Sequence, residues 1–391
     1  MRPPRIALVT PMLPVAHDQT RGRYIYETAR ALARLTELRT YFIQPRYLRI
    51  PGLAPRSFLH EDVGPDYAIE GVDVEAFSYP AVPGLSRLLN GFVAGRRLIP
   101  RMREFSPDLV LAYWVYPDGH AALRAARALN LPCVVGARGS DIHVRSGINA
   151  FMTRRTIAGA DCLLTVSQAM RRAAIERFGA APERVHAVIN GFNTAIFRPR
   201  DRAAMRARFD IDADTRLVVY VGRLVESKGM RELIEAHARL AGRDPRVRLA
   251  LIGDGVMREQ LAAIIREQGL QDSVSMPGGC APEGVAEWIA AADVLTLPSW
   301  SEGYPNVVVE AVACGRPVVA TDVGGTREIL DASNGILVPP RNAAALETAL
   351  EAALSRNWDH AAIAAAMHRS WDDVARDTLD ICTQTVAGYR P

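Results

Sequence analysis

Lysine is almost missing from this chain. Of its 47 Lys and Arg residues in 391 positions, one, Lys228, is lysine and the rest are arginine. Cysteine is scarce as well: Cys133, Cys162, Cys280, Cys314 and Cys382 form no CxxC pair and have no flanking histidine, which excludes a zinc motif and a disulfide framework. They read as small buried hydrophobes of a reducing cytoplasm. No window approaches ~18 uninterrupted apolar residues, so a transmembrane helix is excluded. The Ile6 to Val9 run behind Arg2 and Arg5 is interrupted by Pro11 and Pro14 too soon for a signal peptide, and reads as a strand. No GxGxxG run follows that strand, which disfavours a dinucleotide-dependent oxidoreductase.

What is present is an ordinary globular composition, 49% hydrophobic and 23% charged, which rules out a disordered tail or a collagen-like chain. The net charge of +4 conceals a division. Residues 1–200 carry 27 Arg against 16 acids, a balance of +11, and residues 201–391 carry 20 basic residues against 27 acids, a balance of −7. The first half is therefore the one to meet something anionic, although no nucleic-acid motif accompanies it.

Short β-branched runs alternate with helical stretches in both halves. They lie at Arg5 to Thr10, Leu38 to Ile43, Val72 to Phe77, Leu109 to Ala112, Cys133 to Val135, Cys162 to Val166 and Val185 to Ile189. The second half repeats them at Leu217 to Val221, Val247 to Ile252, Val274 to Met276, Val294 to Leu297 and Val318 to Ala320. Alternation of this kind predicts α/β architecture, two doubly wound parallel sheets. The divisions are an N-terminal domain over 1–197, a second domain over 203–365 and a helix over 366–391 that returns to the first domain. Two such domains create a cleft, and the loops after each strand are where chemistry is sought.

Three loops of the second half carry chemistry. Val221-Gly222-Arg223-Leu224 runs to Lys228-Gly229 before an amphipathic helix, and two cations five apart at a strand end suit a diphosphate. Gly253-Asp254 and Pro277-Gly278 are glycine turns on the same rim. The strongest signal is Glu302-Gly303-Tyr304-Pro305-Asn306-Val307-Val308-Val309-Glu310. Pro305 is placed as first helical residue, and Glu310 inside an apolar helix requires a partner, because an unpaired buried carboxylate is costly.

These residues resemble the retaining GT-B glycosyltransferases of family 4, in their Gly-Arg…Lys-Gly motif (Gly222, Arg223, Lys228, Gly229) and in two glutamates eight apart (Glu302, Glu310). The match extends over most of residues 185–340. The resemblance implies that Arg223 and Lys228 hold the donor diphosphate, that Glu302 with Gly303, Tyr304, Pro305 and Asn306 meets the donor sugar, and that Glu310 meets the ribose hydroxyls. It implies transfer with retention from a UDP-sugar or GDP-mannose to a glycan or lipid-linked acceptor, with no cofactor and no metal, in bacterial polysaccharide or cell-envelope assembly. In the first half only Gly22 carries over from the family's glycine loop. Arg138-Gly139-Ser140-Asp141 stands where many members have His-Gly before an aspartate. Asp118 and His120 are then the sugar-side candidates, and Arg138 and Asp141 the acceptor-side ones.

A last segment carries Arg87, Arg96, Arg97, Arg101 and Arg103 among large apolar residues and without an acid. It is expected to lie as a helix on an anionic membrane surface, placing a cytoplasmic protein peripherally on the inner face of the membrane. Two competing readings are a GT-B nucleotide-sugar epimerase and a non-catalytic nucleotide-sugar-binding protein.

Overall fold

In the computed structural model the described residues are 2–16, 18–48, 63–83, 86–139, 141–142 and 147–390. They form two compact units, Met1–Asn190 with Trp371–Pro391, and Gly191–Ser370. The division falls ahead of the Phe197 to Arg202 stretch for a local reason. Phe192 donates its N–H to the Arg369 carbonyl at 3.1 Å and Phe197 is buried, which ties this strip to the second unit.

The sheet of the first unit contains β1 (Ile6–Thr10), β2 (Leu38–Tyr47), β3 (Val74–Ala81), β4 (Leu109–Tyr113), β5 (Cys133–Gly136), β6 (Cys162–Thr165) and β7 (Val185–Ala187). Their order is β3-β2-β1-β4-β5-β6-β7, with every pairing parallel. Its helices are α1 (Arg23–Leu32), α2 (Asn90–Phe105), α3 (His120–Ala128), α4 (Gly147–Gly159) and α5 (Gln168–Phe178). All residues of β1 and β4 are buried, as expected of a parallel sheet covered on both faces. Ser167 caps α5 by accepting from the Met170 N–H.

The second sheet contains β8 (Arg216–Val221), β9 (Val247–Ile252), β10 (Val274–Gly278), β11 (Val294–Leu297), β12 (Val318–Thr321) and β13 (Gly335–Val338), ordered β10-β9-β8-β11-β12-β13. Helices α6 (Arg202–Arg208), α7 (Met230–Arg243), α8 (Arg258–Glu267), α9 (Pro282–Ala291), α10 (Asn306–Ala313), α11 (Ala343–Ser355) and α12 (His360–Ala365) surround it. Asp201, Asn342 and Asp359 cap α6, α11 and α12. The last helix, α13 (Trp371–Gly388), packs on α1 and buries Val374, Ala375 and Cys382 in the core of the first unit. Among the described residues no helix is long and apolar enough to cross a membrane.

Differences from the sequence reading have physical causes. β2 continues through Pro45 because β1 ends opposite Phe42, so on that side the missing proline N–H has no partner to lose. β13 is a short, partly exposed edge strand that pattern alone does not separate from loop. The arginine segment differs from the sequence reading in what its apolar side packs against. α2 does form, but Ala94, Leu98, Met102 and Phe105 are buried, and the helix packs on α3 and β3. Its main apolar side is consumed by the fold, so Ala94, Leu98, Met102 and Phe105 do not face a membrane. Arg101 is held by Glu75 at 2.7 Å and lies over the Phe77 ring.

Strand order reverses beside β1 and β4 in the first unit and beside β8 and β11 in the second. At such a switch point the flanking connections leave in opposite directions and open a crevice beyond the strand ends. The loops after β8 and β11 carry Arg223, Lys228 and Glu302, so the second unit's switch point holds the motif residues.

Candidate functional site

After β8 the chain turns at Gly222, donating its N–H to the Ile252 carbonyl at 2.9 Å. The next loop is pressed directly against it. A Cβ on Gly253 would sit 1.9 Å from the Gly222 carbonyl oxygen, and Gly253 has φ +143°, so only glycine fits. Leu224 N–H donates to the Asp254 carbonyl and Met257 N–H to the Leu224 carbonyl, at 2.8 and 3.0 Å. These bonds zip the two rims together. On the outer side Gly253 donates to the Gly278 carbonyl at 2.9 Å, which brings in the Pro277-Gly278 turn. The Asp254 carboxylate faces solvent and accepts from the neighbouring Gly255 N–H.

Arg223 is exposed on this rim, and its carbonyl is propped at 2.9 Å by the hydroxyl of Tyr220. Tyr220 is fully buried, and burial together with the Glu302 charge pushes its hydroxyl far above the ordinary phenol range. It remains a neutral donor. Lys228 ends a short 3₁₀ turn immediately before α7. Its Nζ donates to Glu302 Oε1 at 2.5 Å, with both side chains largely buried, 20% and 12% exposed. The two loops are also tied through Trp300: its N–H donates to the Ser227 carbonyl and its indole Nε1 to Glu232, both at 2.9 Å.

Beyond Glu302, Gly303 accepts from the Gly325 N–H at 3.0 Å, so the loop after β12 holds this segment from the other side. Tyr304 is buried, which pushes its hydroxyl up to about 12. Pro305 is the N-cap of α10, with Asn306 the first helical residue, one place later than the sequence predicts. Proline has no N–H to donate, and its extended backbone sets the chain's entry into the helix. Glu310 lies half-buried a turn inside α10 with no hydrogen-bond or ion-pair partner among the described residues. Burial raises its pKa from 4.5 to about 7.

The candidates of the first unit are placed differently. Gly22 caps α1 in the left-handed conformation, φ +60°, and a Cβ there would meet the Met12 carbonyl oxygen at 2.6 Å. Asp118 is 2% exposed with one carboxylate oxygen unpartnered, and burial raises its pKa to about 8. His120 is 4% exposed, its Nδ1 3.2 Å from the Thr156 hydroxyl and its ring beside Phe92. Burial lowers its pKa to about 4, so it is neutral at ordinary pH. Asp141 is buried and accepts from the N–H groups of Val115, Arg138 and Gly139, at 2.8 to 3.2 Å, pinning the loops after β4 and β5. The Arg138 guanidinium stacks 3.8 Å from the Tyr113 ring centroid and donates to Asn190 at 3.1 Å. Ser140 lies outside the described residues. Asp141 thus pins the loops at the first unit's switch point, Asp118 and His120 are buried behind them, and half-buried Arg138 is the most accessible of the four.

Sequence reasoning missed two supports of the donor-side loops. Tyr220, buried in a Val-rich strand one residue before that strand's end, leaves only its polar character as a signal. Arg258 donates to the Met276 carbonyl at 2.9 Å and clamps the Met276 to Gly278 turn, and nothing in its helical context marks it.

A cationic pair on glycine-rich loops at a doubly wound switch point, with two flanking glutamates, defines a nucleotide-sugar transferase class. Two family models match the chain, Glycosyltransferase Family 4 over residues 22–196 and Glycosyl transferases group 1 over residues 201–369. The chain belongs to this family of GT-B glycosyltransferases. It is 31% identical to TuaC of Bacillus subtilis, named for teichuronic acid biosynthesis, over 75% of each chain. It is 30% identical to a D-inositol 3-phosphate glycosyltransferase of Streptomyces bingchenggensis, over 100% of this chain and 91% of that one. Among solved structures it is similar to sucrose-phosphate synthase of Thermosynechococcus elongatus, with TM-score 0.75 at 20% identity, covering 98% of this chain and 100% of that one. It is also similar to Anabaena HepE in complex with UDP and glucose, with TM-score 0.72 at 21% identity, covering 99% and 100%.

Proposed function

We propose that the protein moves a sugar, with retention, from a UDP-sugar or GDP-mannose to a glycan or lipid-linked acceptor in bacterial cell-envelope or exopolysaccharide synthesis. It works without a metal, at the cytoplasmic face of the membrane. The observation that carries this reading is the Lys228–Glu302 pair held beside Arg223 at the switch point of the second unit. A dianionic diphosphate competes with Glu302 for the Lys228 ammonium, freeing the carboxylate to accept from sugar hydroxyls. Arg223 and Lys228 then stabilise the charge that appears as the bond between anomeric carbon and diphosphate oxygen breaks. The bonding pair leaves with the phosphate, the acceptor oxygen bonds to the same face of the anomeric carbon, and a phosphate oxygen takes the acceptor's proton. Glu310, without a partner among the described residues, accepts from the ribose hydroxyls. The Pro277-Gly278 turn borders the base, and Gly22, Asp254 and the backbone of Gly303 to Asn306 complete the donor contacts.

On the acceptor side, Arg138 is the group we assign to binding, with Asp118, His120 and Asp141 shaping the surrounding loops. The names of TuaC and of the inositol phosphate glycosyltransferases support an anionic acceptor, which suits the arginine-rich first half. The HepE complexes with UDP and with UDP-glucose support a uridine donor. The test is a thermal-shift panel of UDP, GDP and their sugars, because ligand at 100 times its Kd adds about 2.7 kcal/mol of stability. Product analysis follows, with and without acceptor glycans. A flat panel refutes nucleotide-sugar binding, and a rearranged free nucleotide-sugar formed without acceptor makes the protein an epimerase instead.

A further inference from the structure

α2 gives its main apolar side to the core, yet large apolar side chains remain outside on either side of its start. Leu88 and Leu89 are 42% and 59% exposed, in the turn that leads into α2, and Ile148 and Phe151 are 40% and 57% exposed, on the first turns of α4. The two segments are joined. The Ser86–Leu88 turn packs against the start of α4, and Arg87 Nε donates to the Asn149 side chain at 2.6 Å. Helical spacing extends the patch in a definite way. From Leu89 the outward positions of α2 are Val93, Arg96 and Arg97, and from Phe151 the next on α4 is Arg155. Arg96, Arg97 and Arg155 are exposed and have no acid partner among the described residues.

The surrounding sequence removes negative charge as well. No acid occurs between Glu75 and Glu104, nor between Asp141 and Asp161. Four apolar side chains are therefore bordered by cations, on two stretches that contain no anion.

We propose that Leu88, Leu89, Ile148 and Phe151 form a wedge that enters the headgroup region of an anionic bilayer, while Arg96, Arg97 and Arg155 meet its phosphates. The proposal deepens the membrane reading above and rests on it. An anionic bilayer is the one partner that uses both halves of the patch: apolar depth beneath a layer of negative charge. A nucleic acid would use the arginines and leave the apolar side chains in water. A second copy would set arginine against arginine.

The experiment is flotation of the full chain with vesicles of phosphatidylcholine alone and with 30% phosphatidylglycerol added. The wild type binds the anionic vesicles, and more weakly as salt rises. Each arginine near such a surface is worth about fivefold in affinity, so Arg96→Gln with Arg97→Gln weakens binding about 25-fold. Leu89→Ser with Phe151→Ser weakens it tenfold or more, and unchanged melting and donor turnover in solution show both variants intact. Wild-type protein that stays off anionic vesicles overturns the membrane reading. Wild type that floats together with an unweakened Leu89/Phe151 variant overturns this wedge alone. Binding to single-stranded RNA that depends on Arg96 and Arg97, without vesicle binding, assigns the patch to nucleic acid and overturns the proposal. Vesicle binding by a protein that turns over no donor leaves the wedge standing and refutes only the transferase reading.

Discussion

Replacing Glu310 by glutamine tests the donor site through stability, independently of catalysis. An ordinary glutamate titrates near 4.5 and Glu310 at about 7, because burial disfavours its charge and no group among the described residues repays the loss. Between these values the folded chain holds a proton that the unfolded chain has released. The contribution of this group is thus full below pH 4.5 and is lost as pH rises to 7. At about 1.4 kcal/mol per pH unit the loss reaches about 3 kcal/mol at pH 8, and is under about 1 kcal/mol at pH 5. Glutamine keeps the shape and carries no charge. Glu310→Gln is therefore more stable than wild type at pH 8 by up to about 3 kcal/mol, worth about 5–10 °C in Tm for a unit of this size, and nearly equal to it at pH 5.

Melting curves of both proteins at pH 5 and pH 8, without ligand, make the comparison, since every other titration is common to the two. An equal difference at both pH values would show that the carboxylate is not destabilised where it sits, and the argument would fall. Nucleotide reverses the order. On the proposed assignment ribose hydroxyls donate to the ionised carboxylate, so wild-type affinity for UDP or GDP falls as pH drops through 7, by about tenfold in all, to the level of the glutamine variant, which binds about tenfold more weakly at pH 8 and shows no such pH dependence.

Lys228→Arg lowers kcat/KM for donor turnover at least tenfold, although it preserves charge, because a planar fork cannot take the place of a compact ammonium between Glu302 and phosphate; steady-state kinetics decide it, and wild-type rates would refute it. Tyr220→Phe loses about 1 kcal/mol by removing the donor to the Arg223 carbonyl, and lowers donor affinity in isothermal titration, whereas a purely packing role predicts unchanged affinity. Gly253→Ala places a methyl 1.9 Å from the Gly222 carbonyl oxygen and destabilises by about 3 kcal/mol or more in urea unfolding; a variant as stable as wild type would show that the two loops part easily.

The central strands in the described residues were legible because parallel strands buried on both faces are continuous apolar runs, and a chain such as Leu217 to Val221 reads as nothing else; the edge strands β3, β7 and β10 were legible from shorter β-branched runs. β13 was not, since its four residues at a sheet edge are only partly covered. The donor-side motif was legible for another reason: its residues lie within single loops, where spacing along the chain constrains spacing in the fold. The first-unit candidates were not separable in this way. Asp141 and His120 look identical in sequence to exposed polar residues, and only burial, three N–H donors on one and Thr156 on the other, distinguishes loop supports from ligand contacts. The arginine segment shows the same limit. Its apolar spacing specified a helix, but only packing against α3 reveals which apolar residues are left outside.

The single lysine acquires a physical meaning from its partner. Elsewhere arginine serves every basic role in this chain, including buried ones such as Arg206, which holds Asp293 at 2.6 Å. That pair is permanent: Asp293 also receives the Leu217 N–H, and a fixed fork suits a fixed carboxylate. Lys228 and Glu302 share a largely buried contact whose two loops are tied to each other by Trp300, and the Glu302 loop further by Gly325, independently of the ion pair. The loops need not move for the ion pair to open. On the proposed mechanism the ammonium exchanges a carboxylate for a phosphate within a rigid frame, and a flexible stem with three rotatable donors does so without realigning a plane. A composition biased to arginine would then be expected to spare lysine where a cation must change partners, and Lys228 is the position in this chain that meets that condition.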